Sequence, residues 1–455
     1  MVRHLFSCSL MAACCVGGLC AAVALERPAL ADVTPGAPVI RDRVAGAMPE
    51  PPKRSEDSII VKFKEGVAQD VKDRVVGQHG CSILRTGDAG SLHLVRIPQS
   101  GSPEDTVAAF SGHDCVEYAE LNHYAHLFLT PDDPYLAYQW DLDNAVTGGI
   151  GMEAAWSIET GDPNVVVAVV DTGVAYENHG VYRQAPDLTE TSFVSGYDFV
   201  NDDNHPNDDN GHGTHVTGTI AQSTNNGIGV AGVAFGCSIM PVKVMDAKGQ
   251  GDYFTIMQGI YYAVNHGAQV INLSLGADSP STALKTALAF AYQHGVTVVC
   301  AAGNDYMKGN PVEYPAAYHD TCIAVGATRF DNERAPYSST GSYLDVVAPG
   351  GDTTVDQNGD GYPDGILQQT FVLNPTAFAY YFFQGTSMAA PHVSGLAALL
   401  ISHGVKGPDN VRQAIEKTAT DVGSAGWDPE YGWGLINAGA ALVYQAPVDA
   451  NSPVR

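Results

Sequence analysis

Six consecutive apolar residues, Val165 to Val170, run straight into an acid, Asp171. The run is too short to span a bilayer, and it lacks the alternation of a strand with one wet face. It reads as a parallel β-strand buried on both faces. Parallel strands need long crossovers, usually helical, and the chain supplies them. Strand-like segments at 238–245, 268–276, 295–304 and 320–328 alternate with helical patterns at 252–267, 281–295 and 387–404. Residues 410–420 and 436–445 read as surface helices. The expected fold is α/β: a doubly wound, mostly parallel sheet with helices on both faces.

Ahead of it, residues 57–129 pattern as a small α+β unit. Strands are expected at 58–66, 91–98 and 116–128, with one more near Cys81. Helices are expected at 68–80 and after Ser102, where Pro103 and the acids Glu104 and Asp105 form a helix start. Residues 1–31 read as an export signal, with Arg3 and His4 before an apolar stretch and Ala-x-Ala triplets at 22–24 and 29–31. An uncleaved anchor is the alternative. Residues 32–56 read as a linker, 130–445 as the main domain and 446–455 as a disordered tail. The formal charge of −27 opposes binding to nucleic acid or anionic membranes. Four of the nine cysteines fall in the signal, so the remainder is no disulfide scaffold. A Cys300–Cys322 bridge stays open.

Three short segments carry chemistry. Asp171 ends its strand, where open α/β sheets keep their sites. His212 opens HGTHVTGTIA, and Ser387 lies in QGTSMAAPHVSGLAALL at a helix start. A serine hydroxyl needs a base to remove its proton. Histidine suits, and a carboxylate holds the imidazole in the useful tautomer. Asn304, at the end of GVTVVCAAGN, is placed to stabilise an oxyanion together with the backbone N–H of Ser387.

These motifs together resemble the subtilisin-like serine peptidases, from about Gln139 to Ala440, behind an inhibitor-type propeptide. The resemblance implies a serine endopeptidase that hydrolyses protein and peptide substrates, is held by its own propeptide as inhibitor, and cleaves itself between about residues 126 and 133. It assigns Asp171, His212, Asn304 and Ser387 as catalytic residues, with His215 excluded as the base. It places substrate against Ser274, Leu275 and Gly276 on one side and Gly249, Gln250 and Gly251 on the other, with Tyr253 bordering a further subsite. Apolar or aromatic side chains are expected before the cut, with Asp305 leaving room for basic ones.

The resemblance also implies structural Ca²⁺. One site would use Gln139, Asp187, Thr224, Asn226, Ile228 and Val230, and a weaker one Asp198, Asp203 and Asn207. A third is read from DQNGDGYPDG, where Asp356, Asn358, Asp360 and Asp364 alternate around Gly361. Leu367 replaces the closing Glu of a helix-loop-helix site, so an ion is expected without that fold. The segments flanking it should form a hairpin beside Ser387. The expected product is a secreted monomer (extracellular, periplasmic or cell-surface) with no membrane span in its mature form. A narrow maturation peptidase and a non-catalytic zymogen are the competing readings.

Overall fold

The computed structural model describes residues 54–87, 90–98, 101–123, 130–143 and 148–445. The expected signal, nearly all of the linker, residues 124–129 and the tail lie outside the described residues. The chain divides into two compact units at Leu127/Phe128.

In the first unit the order is β1 (Arg54–Phe63), α1 (Gln69–Gln78), β2 (Ser82–Thr86), β3 (Leu92–Arg96), α2 (Pro103–Ser111) and β4 (Val116–His123). The extra strand near Cys81 is β2. The sheet is antiparallel in the order β2-β3-β1-β4. Its small core holds Ile59, Val61, Phe63, Val75, Val76, Val95 and Phe110. Ser102 caps α2 by accepting the Asp105 N–H, as the local sequence requires.

The second unit runs through α3 (Met152–Trp156), β5 (Val166–Asp171), β6 (Ser192–Phe193), β7 (Tyr197–Asp198), α4 (His212–Ala221), β8 (Ser238–Lys243), α5 (Tyr253–Asn265), β9 (Val270–Leu273), α6 (Thr282–Gln293), β10 (Thr297–Ala301), β11 (Ile323–Thr328), β12 (Val346–Pro349), β13 (Ile366–Thr370), β14 (Ala379–Phe383), α7 (Thr386–Ser402), α8 (Pro408–Thr418) and α9 (Ala438–Leu442). Its main sheet is parallel, in the order β12-β11-β10-β9-β5-β8-β6, with β7 also on β8. The chain leaves β5 to build outward through β8, then returns to the other side of β5 as β9. That reversal opens a crevice at the carboxyl ends of β5 and β9. Asp171 and Ser274 stand at those ends.

Two expectations change. The 436–445 segment is not a surface helix. It shortens to α9, which buries Ala438, Ala441 and Leu442. Strand β12 is an edge that the sequence reading did not anticipate. The flanks of the acidic loop do pair as a hairpin, β13 against β14.

Helix α7 is buried along nearly its whole length, so every polar group on it needs a partner. His392 Nε2 lies 2.9 Å from Asp141 Oδ2, with both side chains fully buried. Ser394 Oγ donates to Asn272 Oδ1 at 2.8 Å. Gly395 lets the helix touch Val233: a Cβ there would fall 2.7 Å from two Val233 carbons. Gly395→Ala gains helix propensity of about 1 kcal/mol but overpacks this contact. We expect a net loss of stability within the ~1–3 kcal/mol range of overpacked cores, read by urea unfolding in a Ser387→Ala background. A more stable variant would show that Val233 yields freely.

Candidate active site

Asp171 is fully buried at the end of β5. Its Oδ1 accepts from the Thr172 N–H at 2.7 Å and from His212 Nδ1 at 2.7 Å. His212 opens α4, whose approach is set by two neighbouring groups. Asp208 Oδ1 accepts from Thr172 Oγ1 and from the N–H groups of Asn210 and Gly211, while Oδ2 accepts from Thr214 N and Oγ1. One buried carboxylate at a helix N-terminus thus ties the exit of β5 to the start of α4. The fully buried Lys243 repeats the tie, donating to the Thr172 carbonyl and to Asp209 Oδ1. Gly213 permits the close approach, since a Cβ there would sit 2.2 Å from the Gly173 carbonyl oxygen.

Burial of His212 disfavours its cation, but the charge and hydrogen bond of Asp171 outweigh burial and raise its pKa above the ordinary value. His215 behaves oppositely. It stacks on Phe383 with ring centroids 4.4 Å apart, and its Nε2 donates to the Ile366 carbonyl at 3.0 Å. Burial pushes its pKa down to about 3. His215 is therefore a neutral strut between α4 and the hairpin, consistent with its exclusion as a base.

Ser387 stands in the first turn of α7. Its Oγ donates to the Ser274 carbonyl at 3.2 Å. Among the described residues it makes no hydrogen bond to His212, so the expected row is joined at Asp171–His212 only. Pro391 lacks the N–H that would meet the Ser387 carbonyl four residues back. Ser274 Oγ meets it instead, at 2.8 Å, while accepting from Asn272 Nδ2.

Asn304 lies three residues beyond β10. Its Oδ1 accepts from the Thr386 N–H at 2.9 Å and the Thr386 hydroxyl at 3.1 Å, which turns its amide nitrogen the other way. A carbon placed on Gly385 would lie 3.6 Å from both Asn304 Nδ2 and Ser387 N. Two donors therefore flank one space, and that space is open because residue 385 has no side chain. Its φ of 149° also suits glycine.

Beside these groups lies a cleft of about 320 Å³ lined by Leu275–Asp278, Ala301, Gly303–Asp305, Glu313, Thr386 and Ser387. Of the predicted groove residues, Ser274, Leu275 and Gly276 border Ser387 or this cleft. Gly249–Gly251 form the turn before α5, where Asp246 N–H donates to the Gln250 carbonyl. Tyr253 begins α5 and donates its hydroxyl to the Ser279 carbonyl at 2.5 Å.

With this arrangement described, comparison with known proteins is direct. Residues 162–434 match the model of the subtilase family, and residues 48–122 match the fervidolysin N-terminal prodomain. The chain belongs to the subtilase family. This subtilase is 36% identical to a thermophilic serine proteinase of a Bacillus strain, over 86% of this chain and 88% of that one. It is 38% identical to thermitase of Thermoactinomyces vulgaris, over 69% of this chain and all of thermitase. Among solved structures it resembles a protease of Pseudoalteromonas arctica (32% identity, TM-score 0.60, covering 69% of this chain and 99% of that one). It also resembles fervidolysin of Fervidobacterium pennivorans, described as a keratinolytic enzyme related to subtilisin (26%, TM-score 0.55, 87% and 62%). The chain is thus a subtilisin-like serine peptidase, a hydrolase, with a prodomain. Among the described residues, no helix is long and apolar enough to cross a membrane.

The metal residues expected of this subtilase fit unevenly. Asp187 is fully buried, and its carboxylate accepts from Asn226 Nδ2 and the Val230 N–H. Gln139 does not face the loop with a free oxygen, because both ends of its amide are engaged by the backbone of Ala231. Asp133 takes that place: its Oδ2 accepts from the Asn225 N–H at 2.7 Å, and its buried Oδ1 has no partner. Burial pushes Asp187 up to about 7 and Asp133 up to about 6, which marks a pocket short of positive charge. Thr224, Asn226, Ile228 and Val230 lie along the same loop.

In the second set, Asp198 turns both carboxyl oxygens onto its own turn at Val200 and Asn201. Asp203 accepts from the His205 N–H. Asn207 donates to Glu177, which leaves its Oδ1 buried and unpaired. Glu177, His179 and His205 stand beside this set, one ligand atom each within 4.8 Å of the others. In the third set, Asp356, Asn358 and Asp360 curl the loop around their own backbone N–H groups. Asp364 is fully buried with Oδ1 unpaired. Cys300 and Cys322 are free thiols.

Sequence reasoning missed Asp133, Asp208 and Glu313. The doubled acid at 132–133 and the acid four residues before His212 were available signals. Glu313 had none, because only the fold brings it to the cleft. A raised His212 pKa leaves the base protonated to higher pH. The acid limb of kcat/KM should therefore have its midpoint above ~6.5, the ordinary histidine value. Asp171→Asn should move that midpoint down and lower the plateau. A parent profile with its midpoint well below the ordinary value would contradict this.

Proposed function

We propose that this subtilase is a secreted, self-processing serine endopeptidase with Asp171, His212 and Ser387 as its triad and Asn304 as oxyanion donor. The observation that carries the reading is the buried Asp171–His212 hydrogen bond, set at the same strand edge as the Ser387 N–H and Asn304 Nδ2, which flank one open space. Ser387 Oγ adds to the scissile carbonyl while His212 takes its proton. Asp171 holds the imidazole and stabilises the cation it becomes. The carbonyl oxygen gains charge between Asn304 Nδ2 and the Ser387 N–H. Collapse breaks the C–N bond, and His212 returns the proton to the leaving amine. Water then attacks the acyl-enzyme by the same route. Ser387 points at Ser274 before substrate arrives, and catalytic hydrogen bonds are often unformed until it does.

The peptide lies between Ser274–Gly276 and Gly249–Gly251, with Tyr253 at a further subsite. The prodomain is the enzyme's own inhibitor, separated from it by cleavage between residues 126 and 133. Calcium binds at Asp133, Asp187 and the 224–230 loop, and at Asp356–Asp364; its role is to hold those loops.

Wild type and Ser387→Ala, made side by side, test the chemistry. Wild type should lose its N-terminal unit and digest casein, and Ser387→Ala should keep the unit and digest nothing. Equal processing of both in a protease-free translation system would sink self-cleavage. Losing one oxyanion donor is expected to cut kcat about 10²–10³-fold, the magnitude known for subtilisin, a member of this family. Asn304→Leu is the variant for that measurement.

The ions can be tested on the inactive Ser387→Ala chain. Excess chelator should lower its melting temperature, and Asp133→Asn should shrink that drop. An unchanged melting temperature would remove calcium from the reading.

A further inference from the structure

The cleft beside Ser387 holds an acid that no catalytic step uses. Glu313 is 7% exposed yet lines that cleft. A Cβ on Gly276 would lie 3.6 Å from Glu313 Oε2, and one on Gly303 would lie 2.4 Å from Glu313 Cγ. The side chain therefore runs between the two glycine walls that continue β9 and β10. Among the described residues, no hydrogen-bond donor meets either carboxyl oxygen. A carboxylate held in a recess with no fixed donor is open to pairing by a group that enters the cleft.

The charges around it do not supply that partner. Asp278 and Asp305 line the same cleft and add negative charge. Lys308 is the nearby cation, but its Nζ is held by Asp305 at 2.7 Å and its side chain is more than half exposed. Tyr253 and Tyr343 complete the neighbouring titratable groups. Burial first, then Asp305 and Asp278, push Glu313 up to about 7. Among the described residues, nothing cationic lines the cleft.

When a peptide carbonyl sits between Ser387 and Asn304, the side chain just before the cut falls into this cleft. We propose that Glu313 is the specificity-determining residue of the enzyme and selects Lys or Arg at that position. This replaces the apolar or aromatic preference expected from sequence, and it rests on the reading of Ser387 as nucleophile. An arriving ammonium or guanidinium supplies the missing donors through charge-assisted hydrogen bonds. A neutral side chain of equal length leaves the carboxylate unpaired. The self-cleavage segment carries Leu127, Phe128 and Leu129 rather than Lys or Arg. Cleavage within one chain proceeds at high effective concentration, so that segment does not report the preference toward other proteins.

The test uses the purified, processed enzyme and short peptide nitroanilides that differ only in the last residue: Arg against citrulline, Lys against norleucine, and Phe. At alkaline pH, kcat/KM should favour each charged member of a pair by about 10–100-fold. The ratio should fall as pH drops through about 7, where Glu313 loses its charge. Titration of His212 cancels in the ratio, because both substrates share that base. Glu313→Gln should collapse the ratio toward unity. A wild-type ratio near unity, or one that Glu313→Gln leaves intact, would overturn the proposal. If the variant fails to fold, the wild-type ratio and its pH dependence decide alone. Failure to cut any peptide or casein would instead overturn the functional reading beneath it.

Discussion

The molecule is organised by the need to bury the helix whose first turn carries Ser387. Helix α7 is enclosed nearly all round, so each polar group on it must be matched inside the protein. The carbonyl of Ser387 would be orphaned by Pro391. The hydroxyl of Ser274 reaches across from the end of β9 to meet it, Asn272 donates to that hydroxyl, and Ser394, about two turns along α7, donates to Asn272. The circuit closes on itself and fixes the first turn of α7 against the end of one strand. Each bond polarises the next in a site shielded from water. A proline in a helix, usually a defect, here frees the acceptor that anchors the backbone of Ser387.

The other half of the site is held by charge rather than by a helix interior. Asp208 and Lys243 both grip the segment leaving β5, and both also engage the loop that leads into α4. Asp171 and His212 meet at 2.7 Å because their two backbones are tied together twice. The strand that carries Asp171 is apolar and buried, so it has no freedom of its own. The precision of the pair therefore comes from side chains that touch no substrate.

Much of this was readable in advance, for a definite reason. Asp171, His212, Asn304 and Ser387 each lie at the edge of a strand or helix whose periodicity is written locally. Their chemistry demands particular residue types at those edges. Glu313 is different. It follows a loop with no repeating pattern, and its place under β9 and β10 depends on a chain reversal that pairs Ala277 with Tyr314. Gln139 and Asp133 illustrate a second limit. Both sit near the same loop, and only side-chain direction tells that Gln139 turns to Ala231 while Asp133 turns to Asn225. Segment 436–445 was misjudged as a surface helix because alanine-rich sequence suits a helix at any depth.

The β13–β14 hairpin joins regions that lie far apart in the chain. Thr370 donates to the carbonyl just before His212, and Ile366 receives His215. One residue away, Gln369 accepts from the backbone of Asp187, and Tyr380 on the facing strand donates to its carboxylate. A single two-stranded ribbon thus bonds both to Gly211, the residue before His212, and to Asp187, the carboxylate that meets the 224–230 loop. A substitution in the ribbon would therefore be felt at both places at once. Variants selected for speed or for heat tolerance would then collect in the same few positions, and the two properties would be inherited together.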